Sequence, residues 1–290
     1  MGSGRRQERD ARLVLLRGGG VGAEAEGGGR SVRTVPGRIW LVGAGPGDPE
    51  LMTLKAVRIL ATADVVVHDR LVGDGILDLI GAQTRRLYVG KRKSAHSVPQ
   101  DEVNRLLVAL ALEGLTVVRL KGGDPFLFGR GGEEMLAARA AGIACDVVPG
   151  VSAALAASAA IGAPLTHRGL AQGVTLVTGH AAVAGEPDLD WIALARPNQT
   201  VAVYMGLSTA GRIAGRLMAA GRDGATPVAV VENVSRDTET RRVTTLAELA
   251  TAVADLTGPA ILIIGETAGL ADVGAAHVGG LPVLATEAAR

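Results

Sequence analysis

From residue 38 onward, short runs of Val, Ile and Leu alternate with stretches in which apolar residues recur every three or four positions. The first pattern marks buried strands and the second amphipathic helices. Strands are predicted at Ile39–Val42, Asp64–His68, Leu115–Leu120 and Ala144–Val148; helices at Thr53–Ala61, Val103–Leu112, Glu133–Ala141 and Ser152–Ala160, with Thr53 capping the first. Strand and helix in strict alternation predict a mostly parallel sheet covered by helices.

Gly162, Pro164 and Gly169 then punctuate the chain, and a second series follows. It has strands at Val174–Thr178, Thr200–Val203, Pro227–Val231, Arg241–Thr245 and Ala260–Ile264, and helices at Thr209–Ala220 and Leu246–Ala254. The expected fold class is α/β, with two α/β units at 37–168 and 169–285. Residues 1–36 are Gly- and Arg-rich without a sustained period and read as a flexible tail. Within them Leu13–Ala23 hints at a strand followed by GxGxxA, but no helix pattern or partner strand supports it.

Composition narrows the classes. The chain has 290 residues, 48% apolar and 20% charged, with a formal net charge of +1, so no whole-chain field favours nucleic acid or an anionic membrane. The uncharged run Val147–Leu165 is mostly Ala with Pro and Gly, unlike a spanning helix, and the N-terminus lacks a secretory apolar stretch. A cytoplasmic protein is expected. The single cysteine, Cys145, lies in a strand-like run and reads as a core thiol, and the five histidines show no ligand spacing, so no metal is expected. Only four of the thirty basic residues are lysines, at 55, 91, 93 and 121, which suggests that each surviving ammonium is needed as one.

Three strand ends carry glycine-rich turns. Gly43-Ala-Gly-Pro-Gly-Asp-Pro49 resembles a phosphate loop, but Pro46 removes an amide N–H where a pyrophosphate would need donors, which argues against a dinucleotide. Lys121-Gly-Gly-Asp124 and Val148-Pro-Gly-Val-Ser-Ala153 complete the set at the edge where open α/β sheets bind ligands. Asp69 follows a buried-type strand, where it either accepts a proton or pairs with Arg70, and Lys91-Arg-Lys93 forms a basic run that is either solvated or meets an acidic substrate.

These segments, with Arg119–Glu134, Pro164–Arg168, Thr178-Gly-His180, Tyr204-Met-Gly-Leu207 and Val231-Glu-Asn233, occur in the order seen in the tetrapyrrole methylase family, and the chain resembles the uroporphyrinogen-methylating branch over roughly residues 37–270. The resemblance implies a homodimeric two-domain enzyme with S-adenosyl-L-methionine in the cleft between domains. It further implies C-methylation of uroporphyrinogen III at positions 2 and 7, giving precorrin-2 on the way to sirohaem or cobalamin. By the same resemblance Asp69 is the proton acceptor and Lys91 the proton donor. Pro46, Gly122, Gly123, Asp124, Leu127, Ser152, Ala153, Met205, Val234 and Ala260 contact the cofactor, with Val234 standing where relatives have Gly and Ser208 where they have Asn. The substrate bears eight carboxylates, for which Arg119 and Arg130, with Lys91, Arg92 and Arg168, are the candidate anchors. Some relatives carry an N-terminal dehydrogenase and ferrochelatase module; the stretch before residue 37 is too short for one, so methyl transfer alone is expected.

Rival readings are a family methylase acting on another tetrapyrrole, RNA or protein; a non-catalytic adenosyl-ligand sensor; and a nicotinamide oxidoreductase using the Leu13–Ala23 segment.

Overall fold

The computed structural model describes residues 9–10, 35–90, 98–180 and 187–272. Two sheets organise it. The first contains β1 (Arg9–Asp10), β2 (Arg38–Gly43), β3 (Val65–His68), β4 (Arg85–Tyr88), β5 (Thr116–Lys121) and β6 (Ala144–Val148) in the order β1-β4-β3-β5-β2-β6, with every pairing parallel. Helices α1 (Leu54–Ala61) and α2 (Asp74–Leu77) cover one face, where Leu60, Ile76, Val66 and Leu120 are buried together. On the other face α3 (Gln100–Leu112) and α4 (Gly131–Ala140) pack Leu106, Leu107 and Ala138 onto Ile39, Val65 and Val117. The expected parallel α/β unit is present, and Thr53 caps α1 by accepting from the Ala56 N–H at 3.1 Å. Apart from Arg9–Asp10, Val35 and Pro36, the expected tail at 1–36 lies outside the described residues.

Strand β4 escaped the sequence pattern. Its residues, Arg-Arg-Leu-Tyr, bury only Leu87 fully, so the alternation that betrays a strand is masked by two arginines.

The second sheet departs from a parallel plan. Following α5 (Ala153–Ala160), it comprises β7 (Gly173–Thr178), β8 (Gln199–Tyr204), β9 (Pro227–Glu232), β10 (Thr240–Thr245) and β11 (Ala260–Ile264) in the order β10-β9-β11-β8-β7. Only β7 and β8 pair in parallel; β10 with β9, β9 with β11, and β11 with β8 are antiparallel. Short helices α6 (Trp191–Leu194), α7 (Ala210–Ala219) and α8 (Leu249–Ala252) cover one face through Leu194, Ile213, Leu217 and Leu249. The predicted helix Leu246–Ala254 shrinks to α8, its ends being turns.

The opposite face is covered by α5, a helix that precedes the sequence boundary near 168. Ala154, Ala157 and Ile161 pack against Ala202, Ala229, Val231, Ile261 and Ile263. Alanine on both sides lets helix and sheet approach closely, so the Ala-rich composition of this segment serves contact with the second sheet. The Asp272 N–H also donates to the Ile161 carbonyl at 3.0 Å. No helix among the described residues is long and apolar enough to cross a membrane.

Cys145 is half-buried, and burial together with Asp146 pushes its thiol up to about 11, so it is protonated at neutral pH. Ala157 is fully buried between α5 and the second sheet. Ala157→Leu adds carbons at a fully buried helix–sheet contact and is expected to lower stability by about 1–3 kcal/mol in denaturant unfolding. An unchanged midpoint would contradict this packing.

Candidate active site

The carboxyl ends of β2, β5 and β6 meet backbone to backbone. A Cβ on Gly43 would lie 2.6 Å from the Gly150 nitrogen and 2.7 Å from the Gly123 carbonyl oxygen, so a side chain has no room there. The Gly123 N–H donates to the Gly45 carbonyl at 2.7 Å, and Ala44 donates to the Lys121 carbonyl at 2.7 Å. Asp124 joins the third loop: its Oδ2 accepts from the Gly150 N–H at 3.1 Å while Oδ1 accepts from Phe126 N–H at 2.9 Å. These glycines therefore allow the loops to approach one another, and the amides of the first turn are partly spent on that contact. Gly123 is different. Its φ is +67° and none of the described residues lies within 4 Å of where its Cβ would be, so bare backbone faces open space.

That space is a cavity of about 360 Å³, of ligand-binding size. Every cofactor contact expected from the sequence lines it: Pro46, Gly122, Gly123, Asp124, Leu127, Ser152, Ala153, Met205, Val234 and Ala260. Asp69, Arg119 and Arg130 line it too. Lys91, with Arg92, lies outside the described residues, and the exposed Arg168 stands apart from the cavity lining. The Ser208 position borders an adjoining pocket of about 660 Å³ that shares Met205, Pro259 and Ala260 with the cleft.

The second half of the chain closes the cleft by two contacts that sequence reasoning missed. The Tyr204 hydroxyl hydrogen-bonds the Ser152 hydroxyl and accepts the Ala154 N–H at 3.0 Å, so a residue of β8 caps α5, and its ring packs on Phe128. Arg236, in the β9–β10 turn, donates from Nη2 to the Leu71 carbonyl at 2.7 Å, and its side chain occupies the position a Cβ on Gly47 would need. Phe128, Arg130, Met205 and Asn233 line the cavity with positive φ, non-glycine residues held in a costly conformation where the ligand space begins.

The cavity floor is ionic. Period-two alternation in β5 puts Arg119 and Lys121 on the same buried face as Val117, opposite Glu134 in the first turn of α4. Glu134 Oε1 accepts from Arg119 Nε at 3.0 Å and from Lys121 Nζ at 3.0 Å. Arg119 Nη1 donates to the Leu120 carbonyl at 3.0 Å, and Nη2 donates to Asp69 Oδ2 at 2.8 Å. The other Asp69 oxygen accepts from the Leu71 N–H at 2.9 Å. Asp69 thus pairs with Arg119 across the strands, and no bond to Arg70 is needed to hold it.

Burial pushes the Asp69 carboxyl up, but the Arg119 guanidinium, the Leu71 N–H and the more distant Lys121 outweigh it and hold it below the ordinary aspartate value. Lys121 is held below the usual lysine range by burial and by Arg119. Arg130 has a different setting: it pairs with Glu133 through two hydrogen bonds of 2.8 Å, and more than half of its side chain is exposed.

The chain is similar to known proteins. A uroporphyrinogen-III C-methyltransferase of Paracoccus denitrificans is 51% identical over 81% of this chain and 83% of its own. A siroheme synthase of Serratia proteamaculans is 54% identical over 79% of this chain, which spans about half (48%) of that protein. Among solved structures, a uroporphyrin-III C-methyl transferase from Thermus thermophilus complexed with S-adenyl homocysteine superposes with a TM-score of 0.71 at 44% identity, covering 81% of this chain and 100% of the other. The family described as Tetrapyrrole (Corrin/Porphyrin) Methylases matches residues 38–250, the span that supplies almost all of the cavity wall. The chain belongs to the tetrapyrrole methylase family.

Proposed function

We propose that the protein methylates uroporphyrinogen III at ring carbons 2 and 7, using two molecules of S-adenosyl-L-methionine and yielding precorrin-2 and two of S-adenosyl-L-homocysteine. One observation carries this reading: residues expected to hold the cofactor, drawn from both halves of the chain, line the same cavity as the Asp69 carboxylate. The cavity fits an adenosyl ligand, because at Gly123 a strip of backbone faces space that any Cβ would fill.

When bound, S-adenosyl-L-methionine supplies a methyl carbon already activated by its sulfonium, so neither a metal nor a further electrophile is needed. The protein must align that carbon with a nucleophilic pyrrole carbon, and the converging glycine loops and the Tyr204 and Arg236 contacts make that alignment rigid. As the carbon–carbon bond forms, the carbon–sulfur pair stays on sulfur and the ring system becomes cationic. Asp69 takes the proton that must leave. A carboxylate of low basicity suffices because the cationic adduct is a strong acid, and both Asp69 oxygens are held in place for it.

Arg119 spends its donors inside the floor. Arg130, more exposed, is the better placed of the two to meet a substrate carboxylate by exchanging its Glu133 partner. Lys91 is assigned the proton-donor role on its motif. The enzyme is read as a cytoplasmic homodimer built of units 37–168 and 169–285.

Gly123→Val puts a branched side chain at positive φ into the cavity and is expected to abolish binding of S-adenosyl-L-homocysteine in calorimetry, with folding retained; unchanged affinity would count against the assignment. Asp69→Asn is expected to cut turnover about a hundredfold or more at nearly unchanged cofactor affinity, and full turnover would remove Asp69 as the base. A depressed carboxyl stays ionised until pH falls through its folded value, so turnover should show no Asp69-dependent loss between about pH 7 and about pH 5, above the ordinary aspartate value of about 3.9. An inflection in that window that disappears in Asp69→Asn would contradict the low basicity.

A further inference from the structure

We propose that Glu134 is a positioning residue: from beneath the cavity floor it fixes the Arg119 guanidinium, and through it the orientation in which Asp69 receives the proton. The inference rests on the reading of Asp69 as the base.

Glu134 has no exposed side-chain surface, and three donors converge on its Oε1: Arg119 Nε and Lys121 Nζ, each at 3.0 Å, and Gln100 Nε2 at 3.3 Å. Among the described residues its Oε2 has no hydrogen-bond partner. A buried carboxylate is costly, and a buried ion pair is often no more stabilising than apolar residues of the same volume. Packing alone would be met by continuing the apolar face that Val117 begins. The charges at 119, 121 and 134 therefore need another reason, and the geometry supplies one.

Only Nη2 of Arg119 reaches Asp69, because Nε is committed to Glu134 and Nη1 to the Leu120 carbonyl. The plane of a guanidinium is fixed once two of its nitrogens are held, so the Glu134 contact sets where the third points. Glu134 also divides the Arg119 charge between two carboxylates. Asp69, Glu134, Arg119 and Lys121 together are neutral; without Glu134, Asp69 would face two cations and become a weaker base in a less defined orientation.

The test is a double-mutant cycle of Glu134→Gln with Asp69→Asn, read by single-turnover transfer of a labelled methyl group to uroporphyrinogen III. Affinity for S-adenosyl-L-homocysteine and the unfolding midpoint are measured alongside. Glu134→Gln alone is expected to slow transfer about tenfold to a hundredfold while cofactor-product affinity stays within about twofold. The double variant should be no slower than Asp69→Asn, since Glu134 acts through that residue. Losses that multiply in the double variant would overturn the proposal, because a purely structural role damages the site independently of Asp69. Fast transfer by Glu134→Gln beside a slow Asp69→Asn would also overturn it and leave the base assignment standing. Fast transfer by Asp69→Asn would instead remove the base assignment, and the proposal with it. If Glu134→Gln does not fold, the charge-balanced exchange of Lys121→Met with Glu134→Gln enters the same cycle and is judged by the same multiplicative criterion.

Discussion

Backbone contact between Gly43, Gly123 and Gly150 is the constraint on which the rest of the cleft depends. The strand ends come closer than a side chain on Gly43 or Gly150 would permit, and Asp124 pins the outer two by accepting the Gly150 N–H from the β5 loop. Once the loops are so joined, their remaining surface is fixed: Gly122 to Asp124 on one side, Pro46 on another, Ser152 and Ala153 at the start of α5. A site built this way needs little induced ordering. The conformational freedom that a glycine-rich loop would otherwise lose on binding has been given up during folding.

The second half of the molecule is fitted to that platform through small polar contacts set beside a large apolar one. Helix α5 leaves the first sheet's edge and buries its alanines on the second sheet, so the two halves share a core. Tyr204 then caps α5 from across the cleft, and Arg236 grips the Leu71 carbonyl next to Asp69. The cavity and Asp69 are thereby held by residues from both halves. Positive-φ residues at Phe128, Arg130, Met205 and Asn233 are the conformational cost of directing short segments into one cavity.

Beneath the cavity, the proposed chemistry depends on Glu134, a group with no access to it. A carboxylate at a sheet edge that simply faced water would be free to rotate, whereas Asp69 is bonded through both oxygens, one by its own turn and one by Arg119. The opposing effects of burial and neighbouring cations leave it ionised, and the counter-charge on Glu134 limits how far those cations dominate.

The sequence by itself determined the alternating elements, the parallel first sheet, the glycine turns at three strand ends and the family. Each is a local pattern of a few residues whose physics is visible in one dimension: hydrophobic period, a capping threonine, glycine where backbone must come close. It did not expose β4, whose two arginines break the alternation, nor the antiparallel pairings of the second sheet, because strand direction depends on how connections cross and leaves the period unchanged. A hint of the ionic floor was present, in a lysine retained at 121 and two cations at i and i+2 of a buried strand, but its meaning required Glu134 of another element. Only the tertiary structure decided that α5 serves the second sheet, that Tyr204 and Arg236 close the cleft, and that Arg119 turns inward to Asp69. These are contacts between residues about 50 or more apart in the chain, and their partners are selected by packing geometry that no local pattern encodes.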